Sequence, residues 1–139
     1  MCIRDRDLTL AIDAKNTDKG AVATLAAAGS GTVTSADIMN PTGSGVRVSI
    51  NVSAISGSGA TLVVKVQGKD VASGTYYDIM TGPSITATGF TSMTIYPGIV
   101  QTNTSTVRSD LVPEWFRVSY TITGTTPSVT GTIGVCSQI

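Results

Sequence analysis

The side chains that could do chemistry in this chain are few and scattered. It contains no histidine, and Glu114 is its sole glutamate. Without an imidazole, Ser-His-Asp and Cys-His nucleophilic arrangements are excluded, as is every metal site that needs a histidine ligand. The aspartates are dispersed, so no spacing dictates a carboxylate pair for general acid–base work. Cys136 falls beside Val135, on the outward phase of the last strand. With Cys2 discounted for the reason given below, Cys136 reads as a lone, passive small residue. It implies no disulfide framework, and a reactive thiol would need an activating partner. No catalytic, cofactor-binding or metal-ligating residue is assigned, and the chain is read as a non-enzyme.

Two weaker motifs have ordinary explanations. Within Asp13–Gly20, the run Asn16-Thr17-Asp18-Lys19-Gly20 faintly resembles a calcium loop. It lacks the regular ligand spacing and the closing bidentate glutamate, so it reads as a polar turn. Asn51-Val52-Ser53 and Asn103-Thr104-Ser105 match the glycosylation acceptor pattern, but a chain this rich in Ser and Thr produces such matches by chance.

Three residues are candidates for an interface. Arg108 and Asp110 lie in a segment, Ile99 to Pro113, that has no stable hydrophobic period, and connections of that length are often functional. Trp115 occupies the phase opposite Phe116 near the start of a strand. It reads either as an interface anchor or as a cap on the edge of the core beneath a loop. Tyr76, Tyr77, Tyr96 and Tyr120 are spread over three expected strands rather than gathered in one closely grouped stacking platform.

The elements that must carry these residues are strands. Phe116, Val118, Tyr120 and Ile122 alternate with Arg117, Ser119, Thr121 and Thr123, giving one buried and one wet face. Gly124-Thr125-Thr126-Pro127 interrupts the pattern, and Val129, Ile133 and Val135 resume it, which predicts an antiparallel hairpin. A second hairpin is predicted from Val46, Val48, Ile50 and Val52, the turn Ser56-Gly57-Ser58-Gly59, and then Leu62, Val64 and Val66, whose opposite phase carries Thr61, Lys65 and Gln67. Shorter strands are expected at Leu8–Ile12, Thr32–Met39, Tyr76–Met80, Ile85–Thr88 and Thr91–Tyr96. Ala21–Ala28 reads as strand or a turn of helix. Every proline falls in or beside an expected turn, as a sheet requires. About eight to ten short strands and no convincing helix predict an all-β, antiparallel β-sandwich or jelly roll.

Composition sets further bounds. A chain of 139 residues fits one domain with a real core. Charged residues make up 13% of it, about half the roughly 25% usual for soluble proteins. Thr, Ser and Gly take the outward positions, and neutral surfaces of this kind desolvate easily in a permanent contact. Nine basic and nine acidic residues cancel, and no basic stripe exists to draw in nucleic acid. No apolar run is long enough to span a membrane, and the start shows no apolar core of a secretory signal. Met1-Cys2-Ile3-Arg4-Asp5-Arg6 instead looks like the translation of a sequencing-library transposon adapter, as in a fragment entering a metagenomic assembly. Residues 1–6 are therefore expected to be a non-native tail and 7–139 a single domain; the alternative is a charged N-terminal arm.

Three stretches carry a family resemblance. Ala60–Asp70, ATLVVKVQGKD, followed by Gly74–Ile79, GTYYDI, is similar to the central strand of a family of small tailed-bacteriophage virion proteins. Ile95-Tyr96-Pro97-Gly98 looks like that family's strand-ending turn. Phe116–Gly134, FRVSYTITGTTPSVTGTIG, is similar to its closing strands. Together they span most of the chain after Gly45. The resemblance extends to jelly-roll cement proteins that decorate phage heads. It implies a non-enzymatic protein without cofactors, made in the bacterial cytoplasm and residing on the capsid exterior. Its partner would be the major capsid protein, and it would self-associate, with a trimer favoured. Arg108, Asp110 and Trp115 would then lie in contacts with capsid or a sister subunit. The alternatives are a head–tail connector or tail component, and a carbohydrate-binding or adhesin-like sandwich.

Overall fold

Two long strands form the spine of the molecule. The computed structural model describes residues 18–40, 45–101, 103 and 105–137. Among these the strands are β1 (Asp18–Ala28), β2 (Gly31–Thr34), β3 (Ile38–Met39), β4 (Val46–Lys69), β5 (Tyr76–Thr81), β6 (Gly89–Ile95), β7 (Val107–Arg108) and β8 (Trp115–Ser137). No helix occurs among the described residues. The expected strand at Leu8–Ile12, the adapter-like residues 1–6 and the loop residues 41–44 lie outside them.

The protein is all-β, as the alternation predicts, but neither expected hairpin forms. Val46–Val52 and Leu62–Val66 belong to one 24-residue strand, β4. Phe116–Ile122 and Val129–Val135 likewise belong to one 23-residue strand, β8. β4 and β8 pair antiparallel along almost their whole length, from Val46↔Ser137 to Gly68↔Phe116. The segments read as turns are irregular joints in this ladder, with register shifts at Val52/Ala54, Ser56/Ser58 and Ser58/Thr61. Bulges of this kind bend a strand without ending it. Glycine makes the joint possible: Gly57 and Gly124 take φ of 109° and 129°. Their missing Cβ atoms also let backbone approach closely, since a Cβ on Gly57 would lie 2.7 Å from Pro127 Cα.

Pro127 corrects the expectation that prolines avoid strands, because it lies inside β8. It sits between the pairs Ser56↔Ser128 and Ser58↔Thr125, where the ladder is broken. Its missing N–H leaves no ladder bond unmade there.

Shorter strands flank the spine. One half of β4 (Val46–Val52) pairs with β6, and the other (Lys65–Lys69) with β5. β1 covers the C-terminal half of β8, while β2 and β3 cover its N-terminal half. Asp18–Gly20, read as part of a turn, is the start of β1, and Ala21–Ala28 is strand. The expected strand Thr32–Met39 divides into β2 and β3, and Ile85–Thr88 reduces to a single bridge, Leu62↔Ile85. β7 joins β6 in parallel, which makes the sheet mixed rather than purely antiparallel.

Both halves of the spine feed one apolar core. Val46, Val48, Ile50, Ile133 and Val135 come from one half and Leu62, Val64, Val66, Phe116, Val118 and Ile122 from the other, all buried in a single cluster. Met93 and Ile95 of β6 and Ile79 and Met80 of β5 complete it. Each such side chain contributes about 1.5–3 kcal/mol by leaving water.

Cys136 departs from its expected role. It is 2% exposed and disulfide-bonded, which overturns the reading of a lone, passive cysteine that forms no bridge. Val135 and Cys136 are both buried, so this end of β8 is covered on both faces, and alternation alone does not reveal that.

Candidate functional site

The outward face of β4, β5 and β8 carries a ladder of polar side chains. Alternation turns Val64 and Val66 into the core and leaves Lys65, Gln67 and Lys69 on the opposite face. Register then places Lys69 opposite Tyr76, Gln67 opposite Asp78, and Gln67 opposite Arg117. Asp37 joins them from the connection between β2 and β3.

The contacts run continuously across the strands. Lys65 Nζ donates to Asp78 Oδ2 at 3.2 Å, and Gln67 Nε2 donates to Asp78 Oδ1 at 2.8 Å. Arg117 Nε donates to Gln67 Oε1 at 2.8 Å, and its guanidinium lies over the Tyr76 ring. The Tyr76 hydroxyl donates to Asp37 Oδ1 at 2.5 Å, and Lys69 Nζ donates to Asp37 Oδ2 at 2.9 Å. Each charged group thus holds its neighbour in one rotamer. Such exposed pairs add little stability singly, but a network fixes geometry.

These bonds set the titration of the acids. The Tyr76 hydroxyl, and after it the Lys69 ammonium, hold Asp37 below the usual carboxylate range. The Gln67 amide, then Lys65, do the same for Asp78. Lys69 is pushed up, chiefly by its hydrogen bond to Asp37. In each case the charged form gains the partner, so it is favoured. These groups serve as fixed charges, not as acids or bases poised near neutrality.

Beside the ladder lies an open hollow of about 270 Å³ lined by Asp37, Lys69, Val71 and Trp115. Trp115 is half-buried there, paired in register with Met39. The tight turn after β4 forms its rim. The Asp70 carboxylate accepts from Ser73 Oγ at 2.6 Å and from the Ala72 N–H at 3.2 Å. Those two bonds, the hydroxyl first, lower the Asp70 pKa.

The three interface candidates separate into two places. Arg108 and Asp110 face each other, Nε to Oδ2 at 3.8 Å, with both side chains nearly half exposed. Arg108 lines a second hollow with Asp78, Met80 and Ser105, which shares no residue with the hollow at Trp115. The connection from β6 to β8 also exposes Val100 (77%) and Leu111 (61%). The sequence did not single out Asp37, and offered Tyr76 only as one of a dispersed set of tyrosines. The available signal was three long polar side chains on one phase of β4, in a chain whose other outward positions are mostly Ser and Thr. Among the described residues, no three His, Cys, Asp or Glu side chains gather as metal ligands would.

No family model matches this chain, and no curated protein or solved structure matches it.

Proposed function

We propose that this chain folds as a jelly-roll-like sandwich, its sheet doubling over at the glycine joint, and serves as a non-enzymatic decoration protein of a bacteriophage head. In this reading it binds between capsid subunits and clamps them. The resemblance of Ala60–Asp70 and Phe116–Gly134 to phage virion proteins supports the role, and so does the sparse charge. The sandwich is supported by the single core that both halves of β4 and β8 share.

The observation that carries the proposal is the connection between β6 and β8. It carries two strongly exposed apolar side chains, Val100 and Leu111, together with the exposed charged pair Arg108 and Asp110. An apolar anchor with a charged rim suits desolvation against a partner. A ligand that binds only the assembled shell stabilises that shell by linkage.

The test is co-sedimentation with mature shells of the cognate phage, alongside light scattering of the free chain. The unaltered protein should pellet with mature shells and not with free capsid subunits, as a trimer in solution. The double variant Val100→Ser/Leu111→Ser should stay folded and remain in the supernatant. Unchanged pelleting of that variant, or no pelleting of the parent, overturns the proposal.

A further inference from the structure

We propose that the hollow beside Trp115 binds a single pyranose ring of a glycan. Its walls combine an indole and an apolar rim with a fixed donor–acceptor pair. The Lys69 and Asp37 side chains are 31% and 28% exposed, so each is largely held by protein yet open to a ligand on one side. Asp37 has accepted one bond on each oxygen, from Tyr76 and from Lys69. Each carboxylate oxygen keeps a further lone pair, and Lys69 keeps two further N–H donors.

Two acceptors beside two donors match a vicinal diol, whose hydroxyls both donate and accept. Val71 is 74% exposed at the rim, on a turn that the Asp70 carboxylate holds rigid. With Trp115 it offers an apolar surface to the C–H face of a sugar ring. The volume falls just below the roughly 300–1,000 Å³ of drug-sized ligand sites, which leaves room for one ring rather than an oligosaccharide. The ion pair is internally neutral, so it favours neither a free anion nor a free cation. Preorganisation is the main asset: Arg117 fixes Tyr76, Tyr76 fixes Asp37, and the ligand need not order them. The site does not depend on the head-decoration role and stands whether or not the chain binds capsid.

The test is a two-dimensional NMR titration of the full chain with the methyl glycosides of glucose, galactose, mannose and N-acetylglucosamine. At least one should give saturable shifts centred on the Trp115 indole N–H and on residues 69–72, with a Kd of about 1 mM. Asp37→Asn and Lys69→Met should each weaken that binding at least about tenfold while the remaining spectrum stays unchanged. Phe90→Ala, on an aromatic away from the hollow, should leave it unaltered. Any of three results overturns the proposal: no saturable shift with any glycoside by about 50 mM, shifts centred elsewhere, or equal binding by both ladder variants. Inorganic phosphate producing the same shifts would overturn it as well, by showing an anion site.

Discussion

The Arg117 guanidinium lies 3.6 Å from the centre of the Tyr76 ring. Arg117 belongs to β8 and Tyr76 to β5, and the two strands flank β4 on opposite sides. The contact therefore spans three strands. It ties an edge strand to the spine and, through the Tyr76 hydroxyl, orients Asp37 at the hollow.

Arg117→Ala should lower stability by about 1–2 kcal/mol, the sum of a partly covered cation–π contact and one hydrogen bond. Arg117→Lys should recover only part of this, because an ammonium lacks the planar fork that stacks and bonds Gln67 together. Urea midpoints of the two variants, with a Tyr76→Leu double-mutant cycle, measure the coupling; additivity of the two substitutions would show that the contact contributes nothing.

Acid should weaken the fold through three hydrogen-bonded carboxylates. Asp37, Asp70 and Asp78 all have folded-state pKa values lowered from the ordinary 3.8. Their contribution is fully present above that unfolded value and is lost as pH falls through the lower folded values. Stability should thus be flat from pH 7 to about 5 with respect to these groups and decline below about 4. Lys69 acts oppositely: its raised pKa contributes stability below its ordinary 10.5, which is lost as pH rises beyond it. Denaturant midpoints from pH 7 to 2 check the sign, and Asp37→Asn should make the acid limb shallower.

The glycine joint should tolerate no side chain. At Gly124, φ is 129°, and a Cβ would sit 2.9 Å from Ala60 Cα. Gly124→Val should cost about 2–4 kcal/mol from backbone strain and crowding together. Gly29, where an added Cβ meets nothing within 4 Å, is the control. Gly29→Ala should change the thermal midpoint little.

One core implies one transition. Ile50 and Val64 lie in opposite halves of β4 and are both essentially fully buried. Ile50→Ala should cost about 2–4 kcal/mol and Val64→Ala somewhat less, each shifting a single unfolding transition. A biphasic curve in either variant would mean that the two halves of the sheet unfold separately.

The candidate site was legible in parts. Arg117, Lys65 and Gln67 were placed on outward phases by alternation, and Tyr76 and Asp78 on a strand. Their convergence was not legible, because Asp37 and Tyr76 are 39 residues apart and meet only through the pairing of β5 with β4 and of β2 and β3 with β8. Nothing in the residues nearest Asp37 marks it as a partner of Lys69.

The sequence by itself determined which face most spine residues present, though Ser119 and Cys136, both on the outward phase, are buried, and Tyr120, on the inward phase, is only partly so. Val46, Val48, Ile50, Val52, Leu62, Val64 and Val66 are buried as their period requires, and so are Phe116, Val118 and Ile122. A period of two assigns a side chain to a face but says nothing about which strand lies alongside. The backbone edge of Val46–Val52 can pair equally well with Leu62–Val66 in a hairpin or with residues 131–137 across the sheet, and burial is the same in both. Ser56–Gly59 and Gly124–Pro127 permit a turn or a bulged bend alike. Tertiary structure made that choice: packing both halves of β4 and β8 around one core satisfies the ladder and removes the apolar faces from water together.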